Sequence, residues 1–137
     1  MNIALIAHDA KKELMVQFCT AYAGILSRHT LCATSVTGKM VSEASGLPIH
    51  LFMARIHGGA EQIGARIAYN EIEMVLFFCD PSNPQYNDSL TYITKLCDQN
   101  NIPFATNLAT AEMLIMVLSR GDLDWLYIVT PKTKPYT

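Results

Sequence analysis

Apolar residues fall in short continuous runs that alternate with longer segments of helical periodicity. Continuous runs of this length are typical of strands covered on both faces of a sheet. The runs that we predict as strands are Asn2–Ala7, Thr30–Thr34, Met74–Cys79, Ile102–Ala105 and Leu126–Val129. Ile49–Met53 is a further brief apolar segment that leads into the Gly58-Gly59 turn.

Between these runs, apolar residues recur every three or four positions, as on one face of a helix. The predicted helices span Lys11–Ser27, Thr37–Ala44 with a stop at Gly46, Ala60–Tyr69, Asp88 to about Asn100, and about Ala109–Leu118. Alternating strands and helices predict βαβ units. We therefore expect an α/β fold of one domain over residues 1–137, an open parallel β-sheet with helices on both faces (a Rossmann-like three-layer sandwich).

The topology of such a sheet also predicts where a ligand binds. In open parallel sheets the crevice lies beyond the carboxyl ends of the strands. The segments that follow the predicted strands there are His8-Asp9, Thr34–Gly38, Asp80–Asn87 and Thr106-Asn107.

Composition narrows the possible partners. Half of the 137 residues are hydrophobic and 16% are charged, which argues against disorder, and a net charge of −2 gives no general attraction to nucleic acid or anionic membranes. No apolar stretch is long enough for a membrane span or a signal peptide, so we expect a cytoplasmic protein. The four cysteines show no C-x-x-C spacing, and we expect free buried thiols with neither a metal nor a cofactor.

Two strand ends carry residues suited to an anion. The hydroxyls and backbone N–H groups of Thr34–Gly38 suit a phosphate at a helix N-terminus, although a plain N-cap that binds nothing is an equal alternative. His8, Asp9 and Lys12 follow the first strand, where Lys12 would act as a point charge for phosphate. Without further context, structural roles for these three residues are favoured.

Two further segments are candidates on the same reasoning. Arg55 and His57 precede the Gly58-Gly59 pair, where the backbone can approach an anion closely, although a tight turn that binds nothing is somewhat favoured on general grounds. Asp80 ends the most apolar strand and suits acid–base chemistry, although aspartate also forms turns at such positions.

The order and spacing of five segments resemble the methylglyoxal synthase family nearly from end to end. These segments are Ile3–Asp9, Ala33–Gly38, Gly58–Ala65, Phe77–Pro81 and Ile102–Ala111. The resemblance implies a homohexamer that removes phosphate from dihydroxyacetone phosphate through an enediolate. It also implies functional roles for His8, Asp9, Lys12, Thr34, Thr37, Gly38 and Asp80.

The chain departs from the family pattern where the chemistry is expected. Ala60 stands at the family's catalytic aspartate, Ala54-Arg55 replaces a Ser-Gly pair, and Tyr86 falls at a family histidine. A methyl group cannot accept a proton, and the neighbouring Glu61 lies about 100° further round a helix. The forked guanidinium of Arg55, in contrast, suits phosphate.

These departures predict a catalytically degenerate member of the family that binds a phosphorylated small molecule or nucleotide-type signal, as a sensor or sponge. The predicted ligand-binding residues are His8, Lys12, Thr34, Ser35, Val36, Thr37, Gly38, Arg55, Gly58, Gly59, Asp80 and Tyr86. The alternative is an active lyase in which Asp9, Asp80 or Glu61 replaces the missing base. A subunit that only binds partner proteins is a third possibility.

Overall fold

The computed structural model describes residues 1–52 and 59–123, with the backbone alone for Gly59 and Ala60. The strands are β1 (Asn2–Ala7), β2 (Thr30–Thr34), β3 (Ile49–Phe52), β4 (Met74–Phe78) and β5 (Phe104–Ala105). The helices are α1 (Lys12–Ala21), α2 (Ala23–Leu26), α3 (Ser35–Ser45), α4 (Gly59–Ala68), α5 (Tyr86–Asn100) and α6 (Leu108–Ser119). A short 3₁₀ turn, Asp9–Lys11, precedes α1.

The described strands form one parallel sheet in the order β3-β2-β1-β4-β5. The central pair is in register from Ile3 opposite Met74 to Ala7 opposite Phe78. The chain thus builds outward from β1 to β3 and then crosses back to β4, which places a topological switch point between β1 and β4. The prediction of an open parallel sheet flanked by helices is confirmed.

Side chains that alternate along each strand divide the core into two layers. On one face Leu5, Leu76 and Phe78 pack with residues from α1, α3 and α6. On the other face Ile6 and Phe77 pack with residues from α4 and α5. Because both faces are covered, the central strands β1 and β4 are apolar at nearly every position.

Several predicted boundaries were wrong. The helix predicted over Lys11–Ser27 is interrupted at Tyr22, which leaves helical geometry two residues before Gly24, a poor helix former. The second helix begins at Ser35 because Thr34 takes the extended N-cap conformation. Ile49–Phe52 is a strand, and the predicted strand Leu126–Val129 lies outside the described residues.

The predicted start of the fourth helix at Asp88 was also wrong. Gln85 N donates to Asn83 Oδ1 at 2.8 Å and Tyr86 N donates to the Asn83 carbonyl at 3.0 Å, so the turn at Asn83 begins α5 two residues earlier. Within residues 1–52 and 59–123, no helix has the length and apolar character needed to cross a membrane.

Candidate active site

The ends of the two central strands are joined at His8 and Asp80. The backbone N–H of His8 donates to the Phe78 carbonyl at 3.1 Å, and the backbone N–H of Asp80 donates to His8 Nδ1 at 2.8 Å. The side chain that follows β1 is therefore held by the backbone that follows β4. This contact lies at the topological switch point, where ligands bind in open parallel sheets.

The Asp80 bond fixes the protonation state of the His8 ring. Since a backbone N–H can only donate, Nδ1 is the acceptor and the proton of the neutral ring lies on Nε2. Nε2 is buried and has no hydrogen-bond partner among the described residues. Burial lowers the pKa of His8 below 6.5, and the Lys12 charge adds to this effect while Asp80 and Asp9 oppose it. At neutral pH, His8 is a neutral ring with an unused N–H donor.

The carboxylate of Asp80 is held by Ser82. The hydroxyl of Ser82 donates to Asp80 Oδ1 at 2.7 Å and its backbone N–H donates to the same oxygen at 3.0 Å. These two bonds, with smaller contributions from His8 and Lys11, lower the pKa of Asp80. The turn-forming role considered for Asp80 is present, and it leaves an ionised carboxylate beside His8. Sequence reasoning missed Ser82, although Asp-x-Ser is a known turn spacing.

Lys12 is anchored at the same edge of the sheet. Its Nζ donates to the Ala7 carbonyl at 2.7 Å and lies 3.3 Å from Asp9 Oδ1. The Lys12 side chain is 16% exposed, whereas that of Asp9 is 97% exposed and makes no capping bond. A fixed ammonium at the end of β1 provides a positive charge beside the site.

The segment Thr34–Gly38 contributes a second unpartnered polar atom. Thr34 is the N-cap of α3, but its hydroxyl makes no capping bond. Thr37, in the first turn of the helix, is 1% exposed, and its Oγ1 has no hydrogen-bond partner in the described part of the chain. A buried hydroxyl without a partner costs free energy, which argues that a ligand satisfies it. Val36, in contrast, is exposed.

Gly38 has a packing role that the sequence did not reveal. It is buried in α3, and a Cβ there would overlap the Leu51 side chain of β3 and press on Ala33 and Ile49. The absence of a side chain therefore lets α3 approach the sheet closely. Its assignment as a ligand-binding residue stays a prediction, as does that of Ser35.

The remaining predicted residues are placed in part. Tyr86 is the first residue of α5, and the centroid of its ring lies 6.5 Å from that of the His8 ring. Glu61 is exposed in the first turn of α4, which Gly59 begins. Arg55, His57 and Gly58 lie outside the described residues.

A neighbouring cavity lies at the same carboxyl edge of the sheet, beyond the ends of β4 and β5. It has a volume of about 360 Å³ and is lined by residues that include Lys11, Cys79, Thr106 and Asn107. Thr106-Asn107 thus faces the same edge as the other candidate segments. In the described parts of the chain, no group of three or more His, Cys, Asp or Glu side chains comes together to hold a metal.

Comparison with known proteins places this site in a family context. The family model described as the MGS-like domain matches residues 14–106. A protein named methylglyoxal synthase from Caldicellulosiruptor saccharolyticus is 57% identical over 133 residues, which cover 96% of this chain and 94% of the relative. One of the same name from Oceanobacillus iheyensis is 52% identical and covers 94% of this chain and 93% of the relative.

A solved structure agrees with these sequence matches. The crystal structure of methylglyoxal synthase from Elizabethkingia anophelis NUHP1 superposes with a TM-score of 0.76 at 39% identity. The match covers 83% of this chain and 76% of that chain.

The prediction of a catalytically degenerate binding protein is contradicted by these comparisons. Relatives that are 49–57% identical over nearly the full chain carry the name of the enzyme. Such similarity favours the alternative, an active lyase. The error came from giving a few substituted positions, Ala60 above all, more weight than the similarity over nearly the full chain.

Proposed function

The chain belongs to the family of MGS-like domains, and we propose on this basis that it converts dihydroxyacetone phosphate into methylglyoxal and inorganic phosphate. The observation that carries the proposal is its similarity, over nearly the full chain, to proteins named methylglyoxal synthase. The pairing of His8 with Asp80 at the switch point supports it, because an ionised carboxylate beside a neutral N–H donor is the equipment that an enolisation requires.

The reaction begins with the removal of a proton from the hydroxyl-bearing carbon next to the carbonyl. Because Ala60 cannot accept a proton, another carboxylate acts as the base, and we assign this role to Asp80. Its lowered pKa keeps it ionised, and Ser82 holds it in one orientation. Asp9 and Glu61 are the alternatives, but Asp9 is fully exposed and Glu61 lies on the exposed surface of α4.

The enediolate that forms needs a hydrogen-bond donor at its oxygen. The Nε2–H of His8 supplies this donor without carrying a charge, since the Asp80 N–H holds the ring in the neutral form. The enediolate then expels phosphate as the C–O bond breaks, and the departing phosphate takes the proton that Asp80 removed. The resulting enol becomes methylglyoxal by moving its hydroxyl proton to carbon. Preorganised donors for developing negative charge contribute the largest single term in many enzymes.

The phosphate group is assigned to the ends of β1 and β2. The Lys12 ammonium supplies charge, and Thr37 Oγ1 gains in the phosphate the partner that it lacks within the described chain. The first-turn backbone N–H groups of α3 after Thr34 add donors at the positive end of the helix dipole. Arg55 remains a sequence-based candidate for the same phosphate.

The test is turnover of dihydroxyacetone phosphate by protein purified from a host that lacks this lyase. We expect methylglyoxal, trapped with a diamine, and inorganic phosphate in equal amounts. Asp80→Asn should lower kcat by about 10²–10⁴-fold. The control Asp98→Asn removes an exposed carboxylate from α5 and should leave kcat unchanged.

Two results would overturn parts of the proposal. Absence of both products at any enzyme concentration contradicts the lyase activity. Full activity of Asp80→Asn, with a loss in Asp9→Asn or Glu61→Gln, transfers the role of base to one of those residues.

The family resemblance also leads us to propose a cytoplasmic homohexamer. The four buried cysteines of the chain are free thiols, which supports a location in the reducing environment of the cytoplasm. Light scattering that gives six times the subunit mass would support the assembly, and a monomeric mass at working concentration would contradict it.

A further inference from the structure

The outward face of α6 is apolar. Ala111 and Ile115 of this helix are buried in the core. On the opposite side Met113 is 70% exposed and Met116 is 48% exposed, and Ala109 is exposed as well. A helix at the surface of a soluble domain normally turns charged and polar residues outward. The centre of this outward face, at Met113 and Met116, therefore lacks the charged residues expected there.

The exposed residues of this face follow the spacing of a helix-pairing seam. Ala109, Met113, Met116 and Arg120 are separated by four, three and four positions, the repeat at which two helices pack side by side. They border a shallow depression of about 550 Å³, to which Val117 and Glu112 also contribute. The aliphatic stem of Arg120 extends the apolar surface of the seam.

The charges of the seam are arranged symmetrically about Met116. Glu112 lies four residues before Met116 and Arg120 lies four residues after it, about 6 Å along the helix in each direction. Glu112 accepts a hydrogen bond from Tyr22 Oη at 3.1 Å, which holds its carboxylate beside the seam. A second α6 placed antiparallel across a two-fold axis at Met116 would bring each Glu112 opposite an Arg120.

We propose that α6 packs antiparallel against α6 of a second copy of this chain, around a two-fold axis through Met116. The contact is isologous, so Met116 meets its own counterpart and the two Glu112–Arg120 pairs are equivalent. Arg120 also contacts Asp122 of its own chain at 3.0 Å, and its five N–H donors allow both contacts. A helix of 12 residues is about 18 Å long, so this contact forms either a weak dimer or one interface of a larger ring.

Cross-linking tests the axis directly. In Met116→Cys the two introduced thiols meet across the axis, so mild oxidation should give a covalent dimer on a non-reducing gel at micromolar protein. The four native cysteines are buried and give little background. The control is Tyr69→Cys, which places a thiol at a site that is more exposed than Met116, since Tyr69 is 77% exposed. This variant should give no covalent dimer on the gel.

Charge reversal tests the orientation of the two helices. Arg120→Glu places like charges opposite each other twice and should raise the dissociation constant of the α6–α6 contact by about 5–30-fold. Adding Glu112→Arg to this variant restores opposite charges and should return the constant toward the wild-type value. Both constants are measured by sedimentation of proteins that carry only the four native cysteines. The kcat toward dihydroxyacetone phosphate is measured separately, so that a failure of the α6–α6 contact is distinguished from a failure of the proposed lyase activity.

Three outcomes overturn the proposal. The first is an introduced thiol at position 116 that reacts freely with small reagents but does not cross-link. The second is a thiol at that position that is protected from reagents in a monomeric protein, which shows that another part of the same chain covers the face. The third is failure of the double charge reversal to restore association, which excludes the antiparallel two-fold.

Discussion

Two buried polar atoms, His8 Nε2 and Thr37 Oγ1, have no partner within the described chain. A protein interior rarely leaves such atoms unpaired, because each costs about 1–3 kcal/mol. Both follow neighbouring central strands of the sheet, at their carboxyl ends. The simplest physical account is that the fold gives up stability at these two positions in order to bind substrate.

This account makes a prediction for Thr37→Val, which replaces the buried hydroxyl with a methyl group of similar size. The free energy of unfolding should stay the same or rise by about 1 kcal/mol, because no hydrogen bond within the protein is lost. Affinity for dihydroxyacetone phosphate should fall by about 10–100-fold, since a hydrogen bond to a charged group is lost. Chemical denaturation and KM measure the two effects, and a loss of stability without a change in KM would contradict the ligand-binding role.

A second prediction concerns His8 and pH. Burial lowers the pKa of His8 in the folded protein below the 6.5 of the unfolded chain. Above pH 6.5 the ring is neutral in both states. As the pH falls below 6.5 the unfolded chain takes up a proton first, so the free energy of unfolding should decrease until the folded-state pKa is passed.

The variant His8→Asn separates this contribution from those of other groups. Its Oδ1 can accept the Asp80 N–H in place of Nδ1, but it cannot titrate and has no Nε2–H. Denaturation at pH 7.5 and 5.5 should show a smaller decrease in stability than in the wild type, and kcat should fall by about 10²–10⁴-fold at pH 7.5. His29, whose pKa burial also lowers, is present in both proteins and serves as the internal control. An identical pH dependence of stability in the two proteins would contradict the buried neutral state.

At the scale of the elements, the loops after β1, β2, β4 and β5 position the site, and a side-chain helix cap holds the loop after β5 in place. Asn107 is the N-cap of α6, and its Oδ1 accepts from the Thr110 N–H at 3.1 Å and from the Thr110 hydroxyl at 3.3 Å. The preceding residue, Thr106, accepts the Cys79 N–H through its carbonyl at 3.2 Å. The cap therefore supports the end of β4, from which Asp80 emerges.

Asn107→Ala should reduce the free energy of unfolding by about 1 kcal/mol, the usual effect of removing an N-cap side chain. Asn107→Ser retains a capping oxygen and should recover most of this loss. Thermal or chemical denaturation measures both variants. Equal stabilities of the alanine variant and the wild type would show that the cap is not required by α6.

The sequence predicted the order of the elements because the apolar runs of a sheet buried on both faces are hard to mistake. It predicted their boundaries less well, because single residues decide them: Tyr22 interrupts α1, and the turn at Asn83 starts α5 before Asp88. The candidate site followed from the rule on strand ends, which brought His8 and Asp80 to one edge. Their direct hydrogen bond, the Ser82 contacts and the packing of Gly38 depend on three-dimensional distances that no spacing encodes.

At the scale of the whole molecule, a net charge of −2 leaves the attraction of an anion to individual pocket residues such as Lys12. The fold supplies the other anion-binding groups by bringing strand ends and helix N-termini to one edge of the sheet.

The sheet also separates two apolar layers, and the cysteines are divided between them. Cys19 lies in the layer with α1, whereas Cys32, Cys79 and Cys97 lie in the layer with α4 and α5.

These thiols can report how the two layers open. Burial raises the pKa of Cys19, Cys32 and Cys97 to about 12 and that of Cys79 to about 11. Because the thiolate is the reactive form, we expect all four to react with a disulfide reagent at pH 8 far more slowly in the folded protein than in denaturant. If the sheet unfolds as one cooperative unit, Cys19 and Cys97 should be labelled at the same rate, as measured by mass spectrometry of peptides. Faster labelling of Cys97 than of Cys19 would mean that the α4–α5 layer opens alone. Whether or not the two layers open together, Cys79, which follows β4 beside the site, should be labelled before the other three cysteines.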